Sequence, residues 1–211
     1  MSWTLKVQNA IRGLTQRWAT PRIKQRLWDK EYGDGRWAHC YDTHTDPVYI
    51  TIAEYARGRS ILDLGCGSGN TGVELPSGSY RSYTGIDIST VALQQAIARS
   101  NEIGRGRIND YVHADILTYI PAYSYDVILL RESIYYVPRR KIAAMLARYE
   151  RHLSDQGVFI VAVFDEDRYR DILTEIEALY DVVEERRRSS GAAVVVFQRK
   201  RSAPTPSPND G

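Results

Sequence analysis

The apolar run Ser60–Leu64 breaks directly into Gly65-Cys66-Gly67-Ser68-Gly69, and a short helix is expected just beyond, near Thr71–Leu75. Three glycines in alternate positions keep side chains off one stretch of backbone, because a Cβ there would block a ligand lying against the chain. In open α/β sheets, the space past the carboxyl end of such a strand is where nucleotide-like ligands bind. A strand buried on both faces needs company, so the rest of the chain must supply more strands and the helices that cover them.

It does so by alternation. Strands are expected at 82–88, 108–112, 125–130 and 157–164, with helices at 89–100, 138–153 and 167–179 between and after them. Ser89 or Thr90 can cap the first of these helices, and Val91, Leu93, Ala96 and Ile97 give it an apolar face. Two last strands, 180–185 and 192–198, are joined by Arg186-Arg187-Arg188-Ser189-Ser190-Gly191 and read as a hairpin, so the last strand runs antiparallel. The expectation is an α/β fold: a Rossmann-like three-layer sandwich with seven strands, mostly parallel, and a C-terminal antiparallel strand. Before it, Trp3, Val7, Ile11, Leu14 and Trp18 recur at helical spacing, and Pro21 interrupts before Ile23, Leu27 and Trp28 resume the pattern. Residues 31–46 read as loop, and Pro47 opens a helix that ends near Gly58. The expected organisation is a helical cover over 1–57, a main domain over 58–200 and a disordered Pro/Ser-rich tail over 201–211.

The chain has 211 residues with a net charge of +2, too little to imply a nucleic-acid partner. Residues 1–30 hold seven lysines and arginines against Asp29 alone, so a second use for them is peripheral contact with an anionic surface. The simpler reading is a lid with solvated cations. No apolar run approaches the ~20 residues of a membrane span. The two cysteines, Cys40 and Cys66, form no paired metal motif, and reduced thiols together with the lack of an apolar leader suggest the cytoplasm.

Two ligands compete for the glycine loop. Gly67, Gly69 and Gly72 match GxGxxG, with Asp87 20 residues past Gly67, as in dinucleotide sites. Asp63, Gly65, Gly67 and Gly69 match acidic-x-Gly-x-Gly-x-Gly instead. A carboxylate at the strand end would repel a pyrophosphate, which wants free N–H groups. It suits a cation, and S-adenosylmethionine carries an ammonium and a sulfonium.

The loop resembles motif I of the class I S-adenosylmethionine-dependent methyltransferases, and the likeness continues along the chain. Tyr83-Thr84-Gly85-Ile86-Asp87-Ile88-Ser89 is similar to the second motif, which implies Asp87 on the ribose hydroxyls and Ile88 beside the adenine. His113-Ala114-Asp115-Ile116 is similar to the third, which implies Asp115 at the adenine amine and Ile116 against the ring. Tyr125–Glu132 is similar to the fourth, and Leu153 to Gly157 resembles the turn into strand five. The resemblance implies S-adenosylmethionine as cofactor, held by Asp63, Gly65, Cys66, Gly67, Gly69, Asp87, Ile88, Asp115, Ile116 and Arg131, with Trp37 and Tyr32 closing the cavity. Arg131-Glu132-Ser133-Ile134-Tyr135-Tyr136-Val137 also looks like the corresponding segment of nodulation-factor N-methyltransferases, which act on an amino sugar.

Methyl transfer from a sulfonium needs an aligned nucleophile and, for oxygen or ammonium, a place for its proton. Glu132, at the end of strand four, is the first candidate; an ion pair with Arg131, Arg139 or Arg140 is the alternative. Tyr135 would line the substrate cavity. His44, in the loop with His39, Asp42 and Asp46, is a candidate base; the spacing around Cys40 fits no standard zinc pattern, so no metal is expected. The expected function is methyl transfer to oxygen or nitrogen of a small polar acceptor such as a sugar or amino sugar. A non-catalytic cofactor-binding module and a protein or RNA methyltransferase are the alternatives.

Overall fold

The computed structural model describes residues 12–38 and 46–200. The strands are β1 (Ser60–Leu64), β2 (Ser82–Asp87), β3 (Asn109–His113), β4 (Tyr125–Arg131), β5 (Leu153–Val163), β6 (Asp181–Arg187) and β7 (Ala193–Gln198). They form one sheet in the order β3-β2-β1-β4-β5-β7-β6. Pairings from β3 through β5 are parallel; β7 runs antiparallel to both β5 and β6. The chain steps outward from β1 to β2 and β3, then returns to the other side for β4. The sheet therefore has its switch point between β1 and β4, where a crevice must open beyond the strand ends.

The helices are α1 (Pro21–Gly33), α2 (Val48–Ala56), α3 (Asn70–Glu74), α4 (Thr90–Glu102), α5 (Ile142–Glu150) and α6 (Glu166–Leu179), and residues 12–18 are also helical. Strand alternation sends β1 into two cores. Leu62 and Leu64 face one, with Ile86, Ile128 and Leu130; Ile61 faces the other, with Tyr83, Val127 and Leu129. Full burial of each such side chain contributes roughly 1.5–3 kcal/mol, so the two-sided packing fixes β1 and the loop that follows it.

Several expected boundaries move. Helix α1 runs to Gly33, three residues into the expected loop. Pro47 is the N-cap of α2, with αR dihedrals, rather than its first helical residue. The helix expected over 138–153 is a 3-10 turn, Arg139–Lys141, followed by α5, and Leu153 already belongs to β5. Leu153 pairs with Tyr125, and a register shift then follows before Val158 pairs with Val127. The polar residues Ser154, Asp155 and Gln156 ride in that irregular stretch, which hides the strand's start from a reading based on apolar runs. Trp3, Val7 and Ile11 of the expected first helix, and the tail 201–211, lie outside the described residues.

The cover is tied to the domain by α1. Asp29 accepts hydrogen bonds from the Ser89 Oγ at 2.8 Å, the Thr90 Oγ1 at 3.3 Å and the Val91 N–H at 3.2 Å. It thus adds a carboxylate to the N-terminus of α4, whose own cap is the Ser89 Oγ accepting from the Ala92 N–H at 3.1 Å. Asp29→Ala should cost about 1 kcal/mol of stability. The same change should raise amide exchange in α1 more than in β1, read by hydrogen-exchange mass spectrometry; equal protection would show that this tie holds nothing.

Candidate active site

A cavity of about 240 Å³ lies beyond the carboxyl ends of β1, β2 and β4, roofed by α1 and the residues around it. Its floor is the loop Gly65–Ser68 with Asn70. Gly65 has φ +82, and a Cβ there would come within 2.8 Å of the Ser133 Cβ, so the loop closes against the segment after β4. Ser133 completes the junction by donating to the Leu64 carbonyl at 2.6 Å. At Gly67, φ is +54 and a Cβ would lie 2.4 Å from the Tyr32 hydroxyl. The roof therefore rests directly on the one stretch of floor that only glycine can form.

Asp87 ends β2 and is buried against this loop. Its Oδ2 accepts from the Gly67 N–H at 2.9 Å and its Oδ1 from the Ser89 N–H at 2.8 Å. A carboxylate has about four lone-pair sites, so accepting capacity remains for a ligand in the cavity. Burial pushes the carboxyl above its ordinary range, while the backbone N–H groups of Ser89, Gly67 and Ile88 pull it back. Ile88, Asp115, Ile116 and Leu117 continue the wall. One oxygen of Asp115 accepts from the Leu117 N–H at 2.8 Å, an Asx turn that holds the carboxylate in place.

Glu132 stands at the opposite end. It is the one non-glycine residue with positive φ, +56, among the described residues, a strained conformation of the kind that persists where surrounding contacts over-determine it. Its Oε2 accepts from the Tyr135 hydroxyl at 2.9 Å and from the Phe164 N–H at 3.1 Å, and its own N–H donates to the Ala162 carbonyl at 3.0 Å. Burial raises its carboxyl to about 7, despite the Tyr135 hydrogen bond and the Arg131 charge. Tyr135 is stacked on Tyr169 with centroids 4.4 Å apart, and Phe164 meets both rings edge-on. Arg131 does not pair closely with Glu132: it lies 3.5 Å from Asp46 and over the Tyr49 ring.

Of the residues singled out in the sequence, Gly65, Cys66, Gly67, Asp87, Ile88, Asp115, Ile116, Arg131, Glu132, Tyr135 and Trp37 line this one cavity, as does Tyr32. Asp63 and Gly69 do not. Asp63 is 1% exposed and sits behind the loop, accepting from the Tyr83 hydroxyl at 2.7 Å. Burial raises it to about 6. In a strand, residue 63 shares a face with residue 61, so Asp63 points into the helix-covered core rather than at the crevice. Gly69 faces α4 and β3: a Cβ there would meet the Tyr111 hydroxyl at 2.7 Å and the Ala96 Cβ at 2.8 Å. Cys66 fills the space over Gly85, and burial pushes its thiol well up, which leaves it inert. His44, with His39, Cys40 and Asp42, lies outside the described residues. No group of metal-ligating side chains occurs among the described residues.

The cover supplies what the sequence reading missed. Gln16, Lys24 and Trp28 line the cavity. Trp28 stands edge-on to Tyr136, centroids 4.9 Å apart, and Arg12 and Glu31 pair beneath Trp37, whose Nε1 donates to Glu31 at 3.2 Å. Lys24, Leu27, Trp28 and Glu31 recur at spacings of three and four, so they share one face of α1. Two of the four are charged, which hid that face from a search for apolar periodicity.

The parallel sheet with its switch point, the glycine floor and the acid ending β2 match the Rossmann-like methyltransferase fold. Residues 61–157 match the family described as "Methyltransferase domain", consistent with an S-adenosylmethionine-dependent methyltransferase. The N-methyltransferase NodS from Bradyrhizobium japonicum WM9, crystallised with S-adenosyl-L-homocysteine, is 18% identical with a TM-score of 0.62, over 75% of this chain and 86% of that one. Magnesium protoporphyrin IX methyltransferase (ChlM) from Synechocystis PCC 6803, also with that product bound, is 13% identical with a TM-score of 0.65, over 85% of this chain and 100% of that one. The [4+2]-cyclase SpnF matches as well, at 16% identity and TM-score 0.63, over 73% of this chain and 81% of that one. The last shows that this fold also carries other chemistry, so the site must argue for the reaction.

Proposed function

We propose that the protein transfers the methyl group of S-adenosylmethionine to a nitrogen or oxygen of a small polar acceptor, with an amino sugar as the favoured case. The observation that carries this reading is Glu132: a buried carboxyl raised to about 7, at the strand end opposite Asp87 in the same cavity. The nitrogen preference is supported by the likeness in fold to the N-methyltransferase NodS and the glycopeptide N-methyltransferase MtfA.

The donor set fits the cofactor. Three carboxylates, Asp87, Asp115 and Glu132, face the cavity against Lys24 and Arg131, and Arg131 is engaged by Asp46. That balance favours a cationic ligand over a pyrophosphate. Bound there, S-adenosylmethionine supplies a methyl group already activated on its sulfonium. Asp87 would take the ribose hydroxyls on its open lone pairs, and Ile88 and Ile116 would flank the adenine. The residues of the cover, 1–57 in our division of the chain, would act as the lid that excludes water. Glu132 would orient the acceptor and take its proton as the new bond to the methyl carbon forms and the carbon–sulfur bond breaks. Tyr135 would hold the Glu132 carboxyl in position.

Titration calorimetry with S-adenosylhomocysteine, followed by mass-spectrometric detection of methyl transfer to a panel of amino sugars, sugars and small amines, tests the reading. Binding together with methylation of an amine is expected. Binding with no transfer to any acceptor would instead support a cofactor-binding module.

A further inference from the structure

Among the cavity residues, two from the cover carry polar groups without a partner among the described residues. Gln16 is 4% exposed, and its Nε2 is buried without a hydrogen-bond partner among the described residues. Lys24 is 8% exposed and lines the cavity, and its ammonium makes no hydrogen bond or ion pair to any described residue. The stem of Lys24 is buried and its ammonium, without a partner among the described residues, is left to answer a ligand in the cavity that the side chain lines. Its surroundings say what kind of ligand. Burial disfavours the Lys24 cation, while the charge of Asp115, on the same cavity wall, favours it and that of Lys141 opposes it. Beside Asp115 stand two branched apolar side chains, Ile88 and Ile116, on the same wall. Such a slot has flat apolar sides with a cationic donor and an anionic acceptor together at its edge. It complements a planar heterocycle that presents an N–H donor next to a bare ring nitrogen.

Adenine presents that pair twice, because N1 and N7 both flank its exocyclic amino group. We propose that Lys24 is a specificity-determining residue for the cofactor: its ammonium donates to the adenine ring nitrogen beside the amino group that Asp115 accepts from. This rests on the cofactor reading above and deepens it, since it assigns base recognition to the lid rather than to the strand ends alone. The lid then closes on the adenine as well as on the acceptor, and a ligand lacking the ring nitrogen leaves Lys24 buried and unpaired.

The test pairs Lys24→Met with ligands that lack one ring nitrogen, the 1-deaza and 7-deaza analogues of S-adenosylhomocysteine, using titration calorimetry. One of the two should bind the wild-type protein about tenfold more weakly than S-adenosylhomocysteine, as expected for loss of one charged hydrogen bond. Lys24→Met should bind S-adenosylhomocysteine as weakly as the wild type binds that analogue, with no further loss when variant and analogue are combined. Without ligand, Lys24→Met should unfold at a higher temperature than the wild type, because burial already disfavours the Lys24 cation. A purely structural lysine would lower both quantities. Wild type that binds both analogues like the parent, or Lys24→Met that binds the parent like wild type, would overturn the assignment alone. Failure of the wild type to bind S-adenosylhomocysteine would overturn the cofactor reading and this assignment with it.

Discussion

Asp87→Asn should weaken S-adenosylhomocysteine binding about a hundredfold or more, measured by titration calorimetry. The Asp87 carboxylate does two jobs at once. Its two oxygens take the N–H groups of Gly67 and Ser89, which tie the glycine floor to the entry of α4. An amide offers one oxygen for these two donors and turns an NH2 towards the other. A charge-assisted hydrogen bond is worth roughly 1.5–3 kcal/mol, and a buried donor left facing another donor adds its own desolvation cost. That loss, about 3 kcal/mol, falls on the glycine floor, and the affinity loss follows from the charged hydrogen bonds to the ribose, at roughly 1.5–3 kcal/mol each. Asp63→Asn is the informative comparison. Asp63 is more deeply buried but stands behind the floor, where it accepts from Tyr83. Its amide retains that acceptor, so ligand affinity should change far less. Equal losses in the two variants would show that Asp87 acts through the fold rather than at the cavity.

Glu132→Gln should reduce kcat by about 100- to 1000-fold while S-adenosylhomocysteine binding stays within a few-fold of wild type. The wild-type rate should climb with pH through about 7 as Glu132 loses its proton, and the variant should lose that inflection. Stability gives an independent reading. Burial raises this carboxyl from its ordinary 4.5 to about 7. Between those values the native state binds more protons at this group than the unfolded chain does. Its contribution to stability is thus present in full below pH 4.5 and is lost as pH rises through 7. Gln cannot ionise, so the thermal midpoint of Glu132→Gln relative to wild type should increase from pH 5 to pH 8. A difference that stays flat across that range would mean that Glu132 is not protonated in the native state, and the base assignment would lose its physical footing.

The architecture was legible in the chain because its strongest signals are local. The apolar run into Gly65, Gly67 and Gly69 marks the crevice, and the seven strands and their final hairpin follow from alternation. The acid ending β2 was equally plain, since its strand stops where the ligand must lie. Asp63 was misplaced for a reason visible in the pleat: it alternates with Leu62 and Leu64 and therefore points away from them. Lys24 and Gln16 could not be read at all. Both lie in segments whose cations and amides look solvated until the third dimension folds them inward, and no spacing rule distinguishes a cation over a cavity from a cation in water. Asp29 carried a local clue, as the lone acid in a basic stretch, but its partner helix lies 60 residues further on. Contacts of that span are set by packing rather than by periodicity.

The insertion of β7 between β5 and β6 bears on how the molecule is made. On a ribosome, the edge of β5 stays bare until residues 193–198 have emerged, because the strand that covers it is the last of the described strands. Until then the nascent polypeptide offers a line of unpaired amides and carbonyls to any neighbour, the kind of edge on which chaperones act during synthesis.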